Sequence, residues 1–271
     1  MSDSSWPAAE ARLVIIGGAE DRTGERRVLR EFVRMSGGEA ARLVIVPVGS
    51  SFPDEVGREY EEAFRALGVS EVARLAIDSR EHAKKSDMLA LVERATGVFF
   101  TGGDQMRIMS VLGGTPFDTL LHRRSTDGLV IGGTSAGAAI MSATMIVSGD
   151  TSAVRLGAVQ TGPGMEFLRG VIIDQHFAQR GRIARLLAVV AQFPHELGMG
   201  IDENTAVVVE GHTCRVIGSG SVTILDAGAG TFNDALDVGP GACIALGGVT
   251  LHSLPEGCRF DLLERVPLAR S

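Results

Sequence analysis

The stretch DGLVIGGTSAGAAIMS, residues 127–142, decides how this chain is read. Leu129 to Ile131 form an apolar run suited to a buried strand, and AGAAIM, a few residues later, is built of helix formers. Between them Gly133-Thr134-Ser135-Ala136-Gly137 fits G-x-S-x-G, the pattern of a nucleophile elbow. There, small neighbours let a serine occupy a strained turn with its hydroxyl exposed. The start of the following helix offers unpaired backbone amides and a positive dipole, both suited to a developing oxyanion. In a chain with 35 glycines the pattern alone could be an ordinary turn, so the strand before it and the helix after it carry the reading.

Upstream, strand and helix alternate. ARLVIIGG (11–18), ARLVIVPVGS (41–50), VARLAID (72–78) and VFFTGGD (98–104) read as strands. GERRVLREFVRMSG (24–37), DEVGREYEEAFRALG (54–68) and KKSDMLALVERATG (84–97) read as the helices between them. Strands apolar on both faces and separated by helices imply an α/β fold with a mostly parallel central sheet flanked by helices, in which ligands gather at the carboxyl ends of the strands. Those ends are glycine-rich here: IIGGAED, VGS, FFTGGDQ and IGGTSAG. From residue 205 the texture changes to short alternating strands with glycine turns, as in antiparallel hairpins. No Pro/Ser-rich linker or repeat divides the chain, so 1–271 reads as one α/β domain with 205–271 as its β-rich extension. IGGAED lacks the full G-x-G-x-x-G spacing, which argues against a dinucleotide.

Composition narrows the function classes. A net charge of −7 speaks against nucleic acid and anionic lipid as partners. Three cysteines without C-x-x-C spacing argue against a disulfide framework or a zinc site. There is no apolar run of membrane-spanning length, and MSDSSWPAAEAR lacks a signal-peptide pattern, so the cytoplasm is the expected compartment.

A serine nucleophile needs a base. Of the six histidines, His82, His122, His195, His212 and His252 lie in helical, turn or hairpin contexts. His176, in VIIDQHFAQRGRIARLL, instead follows the strand Val171 to Ile173, where a parallel sheet delivers active-site groups. For the acid that orients the imidazole, Glu203 in GMGIDENTAVVV competes with Asp150, Asp174 and Asp202. The order serine, histidine, glutamate would differ from that of an α/β-hydrolase.

GGTSAGAAIM, DQHFAQRGRIARLL and GIDENTA together closely resemble the cyanophycinase family, serine exopeptidases related to dipeptidase E, and the likeness runs from IIGGAEDR through FTGGDQMRI to GIDENTAVVV. The resemblance implies a fold like the class I glutamine amidotransferases, a homodimer and no metal or organic cofactor. It implies hydrolysis of cyanophycin, a polyaspartate carrying arginine on its side-chain carboxyls, at aspartyl backbone bonds to release β-Asp-Arg. The alternative is an aspartyl or isoaspartyl dipeptidase acting on small β-aspartyl peptides. Motif by motif, the catalytic roles fall on Ser135, His176 and Glu203, with Asp150 as the alternative acid suggested by related dipeptidases. The substrate-pocket roles fall on Gln105, Asp174, Gln175, Arg180, Arg182 and Arg185. Ile183, Leu186, Leu187 and Val190 follow helical spacing, which starts a helix near residue 181 with Arg182 and Arg185 one turn apart and suited to gripping carboxylates. The amides of Ala136 and Gly103 are the expected oxyanion donors.

Overall fold

The computed structural model describes residues 12–269. Its strands are β1 (Arg12–Ile16), β2 (Arg42–Val46), β3 (Glu71–Arg74), β4 (Gly97–Phe100), β5 (Val130–Thr134), β6 (Thr144–Gly149), β7 (Val159–Pro163), β8 (Val171–Gln175) and β9 (Leu197–Ile201). They continue with β10 (Thr205–Glu210), β11 (Thr213–Gly218), β12 (Ser221–Asp226), β13 (Phe232–Asn233), β14 (Leu246–Gly247), β15 (Thr250–Pro255), β16 (Arg259–Asp261) and β17 (Val266–Leu268). The helices are α1 (Arg27–Met35), α2 (Pro53–Ala66), α3 (Ser86–Arg94), α4 (Gln105–Leu112), α5 (Pro116–Thr126), α6 (Ala136–Ala139) and α7 (Ile183–Gln192).

A nine-stranded sheet runs β17-β16-β11-β10-β1-β5-β4-β2-β3. Its β1-β5-β4-β2-β3 part is parallel, as the alternating pattern predicts. The C-terminal strands extend it antiparallel, beginning with β10 on β1. A second sheet, β15-β12-β9-β8, holds the strand that precedes His176. The predicted base therefore comes from a different sheet than the predicted nucleophile.

Alternation along β1 shows why the layers form. Val14 and Ile16 join Phe32 of α1 and Tyr60 and Phe64 of α2 on one face. Leu13 and Ile15 face the other way, into a core shared by helices α3 to α5 and the inner side of the second sheet. The outer side of that sheet, with Ile172 and Leu225, packs on Leu186, Val189 and Val190 of α7. Each large aliphatic or aromatic side chain so buried contributes about 1.5–3 kcal/mol. Among the described residues no helix is long and apolar enough to cross a membrane.

Candidate active site

β5 ends in the expected turn, and packing explains its small residues. A Cβ on Gly133 would lie 2.4 Å from the carbonyl oxygen of Gly137, and one on Gly137 would lie 2.4 Å from that of Phe100. Ser135 between them adopts φ 53°, ψ −109°, a conformation L-residues rarely hold without surrounding support. The helix that follows is a single turn, shorter than the sequence suggests: after Ala139 the chain turns into β6. Four residues align few peptide dipoles, so the chief electrostatic gift of α6 is the amide of Ala136, which has no carbonyl one turn before it.

Three successive carbonyls at the end of β1 bring the distant parts together. Ile16 O accepts from the amide of Ser135 at 3.0 Å, Gly17 O from His176 at 2.8 Å and Gly18 O from Asn204, next to Glu203, at 2.8 Å. His176 and Asn204 also have positive φ, both 49°. No side chain fits at the two glycines: a Cβ on Gly17 would meet Asp202 O at 2.1 Å, and one on Gly18, whose φ is +106°, would meet His176 Cε1 at 2.3 Å.

The result is a continuous chain of hydrogen bonds. Ser135 Oγ lies 2.9 Å from His176 Nε2, and His176 Nδ1 lies 2.6 Å from Glu203 Oε1. An ionised carboxylate only accepts, so Nδ1 carries the proton toward Glu203 and, in the neutral ring, Nε2 is left to receive the one on Ser135. Glu203 is held in turn by Gln179, whose side-chain oxygen accepts from its amide at 3.0 Å. Asp150 is exposed and closes its own turn, accepting from Ser152 N at 2.9 Å and Ser152 Oγ at 2.5 Å, bonds that hold its carboxyl below the usual range. Asp202 is occupied by Ala178 and Ser221. Of the four carboxylates weighed from sequence, the imidazole contacts Glu203.

Residues 13–217 match the family described as Peptidase family S51. The chain belongs to that family. It is a serine-type peptidase. It is similar to proteins named cyanophycinase: 38% identical over 92% of the chain to that of Synechococcus elongatus, of which it covers 79%. It is 39% identical over 96% of the chain to that of Trichormus variabilis, of which it covers 89%. In fold it resembles a peptidase from an acI-B1 Actinobacterium, with a TM-score of 0.68 at 20% identity, covering 93% of this chain and 97% of the other. A putative peptidase E protein from Listeria monocytogenes gives 0.54 at 15% identity, covering 78% and 99%.

The peptidase opens a cavity of about 420 Å3 at Ser135 and His176, walled by Gly102, Gly103, Ser50, Phe52, Glu20, Arg22 and Tyr60. A slightly larger hollow of about 470 Å3 beside β3, lined by Asp54, Glu61, Arg74 and Asp78, brings no hydroxyl to a histidine. Gly102 packs beside Ser135, its Cβ position 3.5 Å from Ser135 Cβ. Gly103, at φ +138°, lies so close to Gly49 that a Cβ would be 2.0 Å from its carbonyl oxygen. Thus the TGG turn puts bare backbone against the serine.

The six residues expected to bind substrate are distributed differently. Asp174 is fully buried and carries both Arg185, paired to both its oxygens, and Arg182, at 3.2 Å. Arg182 also donates to Gln175 Oε1 at 2.6 Å and to the Gln175 carbonyl. Burial lowers the Arg182 guanidinium to about 10 even beside Asp174. These groups fasten α7 to the end of β8 and do not line the cavity. The helix begins at Ile183 with Arg182 as its N-cap, slightly later than the start near residue 181 that its spacing predicts, and its buried face takes in Arg185 while Ile183 is 40% exposed, because Asp174 neutralises the charge from inside. Arg180 is exposed and likewise off the cavity. Gln105 donates to the carbonyls of Ile146 and Val147 at 3.0 and 2.8 Å, pinning β6.

Sequence reasoning missed a second polar cluster on the cavity wall. Buried Glu20 accepts from Thr134 Oγ1 at 2.6 Å and from the Tyr60 hydroxyl. Burial, with the Glu20 charge adding to it, pushes that phenol well above its ordinary range. The signal lay in IIGGAEDR: paired glycines at a strand end mark close backbone approach, whatever becomes of a nucleotide.

Proposed function

We propose that this chain is an exopeptidase that hydrolyses cyanophycin at aspartyl backbone bonds and releases β-Asp-Arg dipeptides through an acyl-enzyme on Ser135. The observation that carries the mechanism is the Ser135–His176–Glu203 hydrogen-bond chain at a cavity. The substrate class is supported by relatives named cyanophycinase that are 36–39% identical over 92–96% of this chain.

In the first step Ser135 Oγ attacks the aspartyl carbonyl carbon while His176 Nε2 takes the hydroxyl proton. Glu203 stabilises the imidazolium and fixes its orientation. The amides of Ala136 and Gly103 hold the tetrahedral oxyanion, His176 then gives its proton to the leaving amine, and the C–N bond breaks. Water attacks the ester with the same base, freeing Ser135.

Purified parent protein should release β-Asp-Arg from insoluble cyanophycin, and Ser135→Ala should lose at least about a thousandfold in kcat. Equal rates for the two proteins would refute the mechanism. A parent that leaves the polymer intact while cleaving small β-aspartyl peptides would replace the polymer reading with that of a dipeptidase.

A further inference from the structure

Arginine joined to an aspartyl side chain through its α-amino group keeps a free α-carboxylate, and this inference rests on the substrate reading above. We propose that Arg22 recognises that carboxylate. Arg182 and Arg185 are engaged by Asp174 inside the protein, whereas Arg22 is the one arginine or lysine among the described residues walling the cavity at Ser135.

Arg22 is both positioned and available. The Asp21 carboxylate accepts from the amides of Thr23, Gly24 and Arg26 at 3.0, 2.7 and 2.9 Å, and Arg26 Nε donates to Arg22 O at 2.6 Å, so the backbone on either side is tied down. The Asp21 amide donates to Asn204 Oδ1 at 3.0 Å, which links this turn to the residue following Glu203. The guanidinium carbon stands 5.3 Å from the centroid of the Tyr60 ring. Support on an aromatic face leaves the N–H edge of a guanidinium free for a carboxylate. Its present partner is Glu59 at 2.5 Å, and the two side chains are 40% and 45% exposed. Such a pair contributes little to stability, so a substrate carboxylate can take the place of Glu59 at small cost.

The test uses two β-aspartyl-arginine oligomers that differ only in whether the arginine ends in a carboxylate or a carboxamide. The parent should prefer the carboxylate by about ten- to a hundredfold in kcat/KM, mostly through KM. Arg22→Gln should bring that ratio to about one by raising KM for the carboxylate, and Arg22→Lys should restore part of it. Without any substitution, β-Asp-Arg should inhibit the parent about tenfold better than its arginine carboxamide. An Arg22→Gln protein that keeps the parent's preference, or equal inhibition by the two dipeptides, overturns the role of Arg22 alone. A parent inactive on both oligomers but active on other aspartyl peptides overturns the polymer reading and this proposal with it.

Discussion

Two groupings of arginine with carboxylate stand near the candidate active site and serve opposite ends. Asp174 is sealed from solvent beneath Arg182 and Arg185, which are 8% and 5% exposed. Arg22 and Glu59 pair at the cavity rim, about two-fifths exposed. The residue types are the same, and the dielectric around them differs. Inside, removal of one charge strands the others away from water; at the rim, water and salt replace a lost partner. Burial therefore makes an arginine part of the scaffold, and exposure leaves it open to a ligand.

The contrast is most exposed to refutation at Asp174. Asp174→Ala leaves two guanidinium groups without a counter-charge and should destabilise the fold by about 3–5 kcal/mol in chemical denaturation. A loss as small as a surface pair produces would erase the distinction. Glu20 is an intermediate case, buried but held by the neutral hydroxyls of Thr134 and Tyr60. Thr134→Val should cost about 1–3 kcal/mol, since it leaves a carboxylate oxygen short of a donor. At the rim, Glu59→Gln should shift stability by only about 0–1 kcal/mol in the same assay.

The smallest effect is expected in the turn that carries Arg22. The backbone amide of Arg26, then those of Gly24 and Thr23, lower the Asp21 carboxyl from 3.8 to about 2. Because the folded value is the lower one, the contribution is complete above the ordinary carboxylate range and fades as pH falls through about 2. Amide protection of Thr23, Gly24 and Arg26 should be full at neutral pH and decline as Asp21 protonates; a decline starting near pH 6 would assign it to another group.

Local chemistry explains what the sequence made readable. The parallel strands were visible because they are apolar on both faces, and Ser135 and His176 because each follows such a strand. Glu203 could not be separated from Asp150 or Asp202 in the linear chain: what differs is which carboxylates already hold nearby donors, and Ser152 engages Asp150 while Ala178 and Ser221 engage Asp202 through space. Helical spacing places Arg182 and Arg185 side by side but is silent on whether a buried aspartate lies beneath them. The split into two sheets was hidden for a related reason, since β8 reads like any two-faced strand until β9 and β12 are known to be its company. The length of α6 depended on where the chain turns away to become β6, after strong helix formers had pointed to a longer run.

The acceptors of Ile16, Gly17 and Gly18 behave as a ruler graduated in single peptide units, against which three remote segments are all measured. Gain or loss of one residue there would leave the hydroxyl, imidazole and carboxylate in the sequence yet slide them out of mutual reach. Length at that short edge is thus as stringent a requirement as the identity of the groups it aligns.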